Sequence, residues 1–221
     1  MAPIAKTVGL LLAGGRSRRL GRDKRFLKRG GKPLIAWAYE ALRGATDEVW
    51  VLLASPQDEL RVREALPSPS PYPQVALDPE PRAGPLGALA GALERVRGEY
   101  ALLLAVDYPL MTAAFLRRLR AHLEDQPKKP DALVPLWQGA PQVTCAFYRR
   151  SLHKELQEAL ASGERSLRRF VEALSPPSRV LWIEEECWRD WTDAPGFPSP
   201  FQGVDTPEDL ARLRAVGLLC E

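Results

Sequence analysis

KTVGLLLAGGRSRRLGRDK (residues 6–24) sets an unbroken apolar run against paired glycines and then a crowd of cations. Residues 6–13 read as a buried strand, because the apolar run is short, continuous and closed by Gly-Gly. Gly14 and Gly15 free the backbone to turn sharply and to present N–H groups to an anion. Arg16, Arg18, Arg19, Arg22, Lys24, Arg25, Lys28 and Arg29 then concentrate positive charge suited to a triphosphate. No GK[ST] follows the glycines, and no GxGxxG spacing occurs, so neither a Walker loop nor a dinucleotide fingerprint explains the segment.

Outward from this segment the pattern repeats. A helix is expected from Pro33, with Leu34, Ile35, Trp37, Ala38, Ala41 and Leu42 as its apolar face. Residues 49–54 form a second buried strand, 57–66 a helix, 68–73 (SPSPYP) a surface loop, and 74–77 a short strand. Pro85 opens a helix to about residue 97, and YALLLAV (100–106) is a further buried strand. Thr112 caps the next helix, which runs through Leu123. Strand and helix alternating at this spacing predict βαβ units and an α/β fold with a mostly parallel sheet. In the second half, strands are expected at 131–135, 142–148 (able to pair antiparallel) and 179–183, with helices at 151–161 and 166–174. Residues 184–200, rich in Trp, acid and proline, read as an irregular surface excursion. Thr206-Pro207-Glu208-Asp209 starts a capped closing helix.

The 221 residues suit one domain (1–221). No apolar run approaches the roughly 20 residues of a membrane span, and the start lacks a leader pattern, so a cytoplasmic location is expected. Cys145, Cys187 and Cys220 include no CxxC pair, which argues against zinc or a disulfide framework. His122 and His153 read as surface helix positions, so any metal must be a hard cation on carboxylates. A net charge of +3 is too mild to imply nucleic acid.

Open parallel sheets bind ligands beyond the carboxyl ends of their strands. The loop after Ala13, Asp78 and Asp107 all fall at such ends. Asp107 is a candidate Mg²⁺ ligand, since Thr112 already serves as the helix cap. Asp78 is also readable as an Asp-Pro turn. In GPLGALAGAL, Gly84, Gly87, Ala88 and Gly91 permit close helix packing, and the helix start is open to phosphate or ribose.

The pattern LAGGxSxRxGxDKxxL resembles the signature of the molybdenum cofactor guanylyltransferases, within the nucleotidyltransferase superfamily. DPEPRAGPL (78–86), the Asp107–Pro109 DYP, GERSLRRF (163–170) and TPEDL (206–210) follow in the family's order. The resemblance implies a three-layer, Rossmann-like nucleotidyltransferase fold with a mostly parallel, mixed central sheet, a nucleotide-binding half of about 1–110 and an acceptor-binding half of about 111–221. It implies GMP transfer from GTP to the terminal phosphate of molybdopterin, with Mg²⁺ as cofactor and pyrophosphate released. The backbone of Leu12, Ala13 and Gly14 would surround guanine, Gly15 would also bind the nucleotide, Lys24 and Arg19 would act on phosphate, and Ser55 and Asp78 would lie near the nucleotide. Asp107 would hold the metal, with Asp205 as a second ligand or a helix-leading cap.

Relatives that use CTP read LAAG, so Gly14 carries the argument for GTP, by leaving space for a purine. Where the family has asparagine after its second strand and in N-x-N-TPED, this asparagine-free chain has Ser55, Gly203 and Asp205. Asp205-Thr206-Pro207 also resembles the ending of sugar-type cytidylyltransferases. Transfer of CMP, or a different small phosphorylated acceptor, therefore stays open. So does a non-catalytic GTP-binding partner of a molybdoenzyme or its chaperone. The acceptor is expected near residues 142–148 and 166–169.

Overall fold

The computed structural model describes residues 6–14, 20–67, 73–78, 83–191 and 199–219. Strand β1 (Thr7–Leu12) lies at the middle of the sheet, as its apolar run requires. A small hairpin, β2 (Lys28–Arg29) and β3 (Lys32–Pro33), leads into α1 (Leu34–Arg43). Then come β4 (Glu48–Leu53), α2 (Glu59–Ala65), β5 (Gln74–Leu77), α3 (Gly84–Arg95) and β6 (Tyr100–Ala105). The second half adds α4 (Ala113–Glu124), β7 (Ala132–Trp137), β8 (Ala140–Pro141), β9 (Cys145–Arg149) and α5 (His153–Ala161). It ends with α6 (Leu167–Glu172), β10 (Val180–Ile183), α7 (Glu185–Trp188) and α8 (Pro207–Ala215).

The sheet order is β10-β7-β9-β6-β1-β4-β5, with β8 on β7. Pairs β1–β4, β1–β6, β4–β5 and β7–β10 are parallel, whereas β9 runs antiparallel to β6 and β7. That reversal matters for the site. It brings the chain entering β9 to the same edge as the carboxyl ends of β1 and β6, where Ala105 N–H donates to the Thr144 carbonyl (2.8 Å).

Helices cover both faces, which is why the central strands are continuously apolar. On one face Leu11, Val51, Leu102 and Leu104 pack with Leu34, Ile35, Phe115 and Leu119. On the other, Val8, Leu10 and Leu103 pack with Leu86, Leu89, Leu93 and Phe170. Gly9 permits α1 to close on β1, since a Cβ there would lie 2.7 Å from Thr46 Oγ1. Thr112 accepts from Phe115 N–H (3.2 Å), and Thr206 and Asp209 form a reciprocal capping box.

One reading needs correction. The described part of 184–200 is not an irregular excursion: α7 is followed by a 3-10 turn (Arg189–Trp191), and Trp188 is 2% exposed. The rings of Trp188, Trp191 and Phe201 pack around Phe115 at centroid distances of 5.4–5.9 Å, and Trp188 and Phe201 lie 5.0 Å apart. Aromatic burial overrides the irregular composition there. His122 on α4 and His153 at the start of α5 stand on helices and keep part of their surface exposed, and the His122 ring lies 6.0 Å from Trp191. No helix among the described residues is long and apolar enough to cross a membrane.

Candidate active site

Lys24 opens a short 3-10 turn (Lys24–Phe26) behind the β1 loop. Asp23 caps that turn by accepting from Arg25 N–H (3.1 Å), which fixes the direction in which Lys24 leaves the backbone. The Lys24 ammonium donates to Asp107 Oδ2 (3.0 Å) and Asp205 Oδ1 (2.8 Å). Asp107 stands just past β6, and Asp205 just before α8. Their loops are tied by Val204 N–H donating to the Asp107 carbonyl (3.1 Å). Burial pulls the Lys24 ammonium down, but Asp107's charge and the bonds to both carboxylates outweigh it, leaving its pKa above the ordinary value. The lysine is therefore a firmly charged cation held between two acids.

Asp107 Oδ1 is buried without a hydrogen-bond partner. A buried anionic oxygen left unpaired is costly, and a cation that it could ligate removes the cost. Among the described residues no group of three or more acids, His or Cys forms a metal cluster. Two carboxylates still fit Mg²⁺, which characteristically takes one or two and completes its shell with water and substrate phosphate.

Beside this pair lies a cavity of about 180 Å³, lined by Leu12, Ala13, Gly14, Lys24, Pro85 and Asp107 among others. Pro85 belongs to the first turn of α3, so that helix start does reach the site. Ser55 caps the 3-10 turn after β4, accepting from Gln57 N–H (3.3 Å), and Asp78 follows β5, its N–H donating to Leu53 O (2.8 Å). Neither lines this cavity. Gly15 and Arg19 lie outside the described residues.

The family model described as "MobA-like NTP transferase domain" matches residues 9–178. The chain belongs to the MobA-like NTP transferase family. It is a nucleotidyltransferase of that family. It is 32% identical to a probable molybdenum cofactor guanylyltransferase of Pyrococcus furiosus over 209 residues, covering 94% of this chain and 96% of that one. With a probable molybdenum cofactor guanylyltransferase of Bacillus licheniformis it shares 31% over 213 residues, covering 94% and 96%. The crystal structure of molybdopterin-guanine dinucleotide biosynthesis protein A from Archaeoglobus fulgidus superimposes with a TM-score of 0.74 at 23% identity, covering 95% of this chain and 97% of that one.

One residue of this transferase's site escaped the sequence reading. Arg25, read as one more loop cation, is 6% exposed. Its Nε and Nη2 fork onto Asp23 (2.9 and 2.7 Å), and its Nη1 reaches Asp58 Oδ2 (2.9 Å) and the Ala13 carbonyl (3.2 Å). The guanidinium thus ties the end of β1 to the turn after β4. No local pattern marks it, since Asp58 is 33 residues away. Arg25→Met should lower stability by roughly 2–3 kcal/mol in denaturant unfolding, below the fully buried range because Asp23 and Asp58 are partly exposed. Arg25→Lys should recover part of that loss, but not the fork.

The expected acceptor segments separate. Gln142 and Thr144 line a second cavity that also contains Asp107 and Asp205. Ser166–Arg169 does not line either cavity. Ser166 caps α6, Arg168 pairs with Glu172, and α6 packs through Leu167 and Phe170 on the sheet face that carries α3.

Proposed function

We propose that this transferase moves GMP from GTP to the terminal phosphate of molybdopterin or its metal-loaded form, with Mg²⁺. The observation that carries the reading is the Lys24 ammonium clasped by Asp107 and Asp205 beside the Gly14 backbone. Two acids from distant segments converge on one cation, next to a cavity bounded by the β1 loop. The names of the relatives support guanine and the molybdenum cofactor as the substrates.

An acceptor phosphate is already anionic at neutral pH, so its oxygen can attack the α-phosphorus of GTP without a strong base. That bond forms as the α–β bridge breaks, and pyrophosphate leaves. Asp107 and Asp205 would hold Mg²⁺, which supplies charge neutralisation at the phosphates. Lys24 would then turn from the carboxylates to phosphate oxygens, exchanging one set of anionic partners for another. Alignment and charge compensation are the protein's contribution. Incubation with Mg²⁺, molybdopterin and each triphosphate in turn, reading pyrophosphate, tests the assignment. GTP should be consumed far faster than CTP, and the reverse order would overturn it.

Gly14 bears on that choice in a different way from the simple provision of purine space. A Cβ at Gly14 would point at Ala54, 3.3 Å from its Cβ and 3.4 Å from its backbone nitrogen. The missing methyl therefore lets the loop lie against the end of β4. Gly14→Ala should raise the KM for GTP by about tenfold, equivalent to ~1.4 kcal/mol, and narrow the GTP/CTP ratio of kcat/KM. Steady-state kinetics with both nucleotides checks it. An unchanged ratio would remove Gly14 from the selection of guanine.

A further inference from the structure

The second cavity, of about 430 Å³, shares Asp107 and Thr144 with the first but none of residues 12–14. Its chemistry differs from a phosphate cradle. Among the described residues no lysine or arginine lines it, whereas Trp137, the amides of Gln138, Gln142 and Gln202, and the carboxylates of Asp107, Asp205 and Asp209 do. Trp137 ends β7 and is partly buried against the core, with the rest of its surface on the cavity beside polar groups.

Two features show that this wall is held in place. Gln142 Nε2–H donates to the Ala140 carbonyl (2.9 Å), and its Oε1 accepts from the Tyr108 hydroxyl (3.2 Å), which also bonds Thr144 Oγ1 (2.9 Å). The amide orientation is thereby fixed, with one N–H still free to donate by its valence. Gln138 and Gly139 form the turn between β7 and β8 with φ of 51° and 71°. Such turns favour Asn, Asp or Gly at the first position. A glutamine kept in left-handed backbone, with its side chain on a cavity wall, is strain retained where a ligand would use it.

We infer that this cavity takes the fused, flat heterocycle of the acceptor, stacked on Trp137 and read along its edge by the Gln138 and Gln142 amides. An uncharged ring system with amide-like N–H and C=O groups, such as a pterin, matches an aromatic wall without cations, whose amides can donate and accept and whose carboxylates can accept from ring N–H groups. The ring's phosphate arm then points toward Asp107 and Lys24. The inference rests on the proposed acceptor for its substrate class, not on the proposed nucleotide.

Binding of 6-hydroxymethylpterin, followed by quenching of its fluorescence in the presence of Mg²⁺ and GTP, provides the test. The wild-type chain should bind saturably. Trp137→Leu should weaken binding by about tenfold or more, within the range seen for loss of one ring-stacking partner, and Trp137→Phe by much less. Gln138→Gly should weaken binding by roughly fivefold while leaving Tm unchanged or raised, a combination that a merely structural glutamine would not give. With molybdopterin as substrate, the acceptor KM should rise in the same order while the Kd for GTP does not. No saturable binding to the wild type, or equal binding by Trp137→Leu and Gln138→Gly, overturns the inference. A preference for CTP would overturn the nucleotide assignment alone, with pterin binding intact.

Discussion

Asp107→Asn is expected to lower kcat by about a thousandfold, the scale of losing one preorganised charge-stabilising group. The substitution keeps the side chain's shape and can still accept from Lys24, so the fold has little to lose. It removes the negative charge from a group whose Oδ1 is buried without a partner. Relief of the unpaired Oδ1 and loss of the charged partner of Lys24 oppose one another, so the Tm of the substrate-free protein should change little. The gain in Tm on adding Mg²⁺ and GTP should shrink sharply, because binding linkage depends on the affinity lost. Asp205 is 57% exposed on its side chain, so Asp205→Asn should cost less, on the order of tenfold. Pyrophosphate release and thermal shifts on the two variants separate these roles. An Asp107→Asn enzyme turning over at the parental rate would sink the assignment.

Much of this arrangement is legible in the chain because its causes are local. The runs TVGLLL and YALLLA announce strands covered on both faces, and Thr112 and Thr206 announce helix starts through their own hydroxyls. Asp107 stands out since a carboxylate ending an apolar strand has few dull explanations. What stays hidden is set by distance along the chain. Lys24 meets partners 83 and 181 residues away, and nothing near it says that its first partners are acids rather than phosphates. Arg25 is indistinguishable by composition from the exposed arginines beside it, although it alone among the described arginines and lysines is buried. Residues 166–169 offered arginines to an acceptor phosphate, but α6 packs where its apolar Leu167 and Phe170 take it, on the face with α3. The amide-lined cavity has no motif, because the reversal of β9 brings Gln142 beside Asp107 and Trp137.

Lys24→Met carries the second large effect, and its readouts should move in opposite directions. Losing the ammonium should cut kcat by two to three powers of ten, since among the described residues Lys24 is the cation paired with both acids. Without substrate, the same change leaves Asp107 and Asp205 facing one another with the cation between them gone. Two carboxylates sharing a site without a counter-charge bind a proton or a metal more readily. Affinity for Mn²⁺ in the absence of nucleotide, measured by electron paramagnetic resonance, should therefore rise several-fold above the parent. The parent itself gives a pH test. A lysine whose folded pKa is raised above the ordinary 10.5 contributes stability that is complete below 10.5 and is lost as pH climbs through the folded value. Unfolding free energies at neutral pH should thus differ between parent and Lys24→Met, and the difference should close only in strongly alkaline solution. If Lys24 were a solvated surface charge instead, the variant would keep its rate, its metal affinity and its stability together.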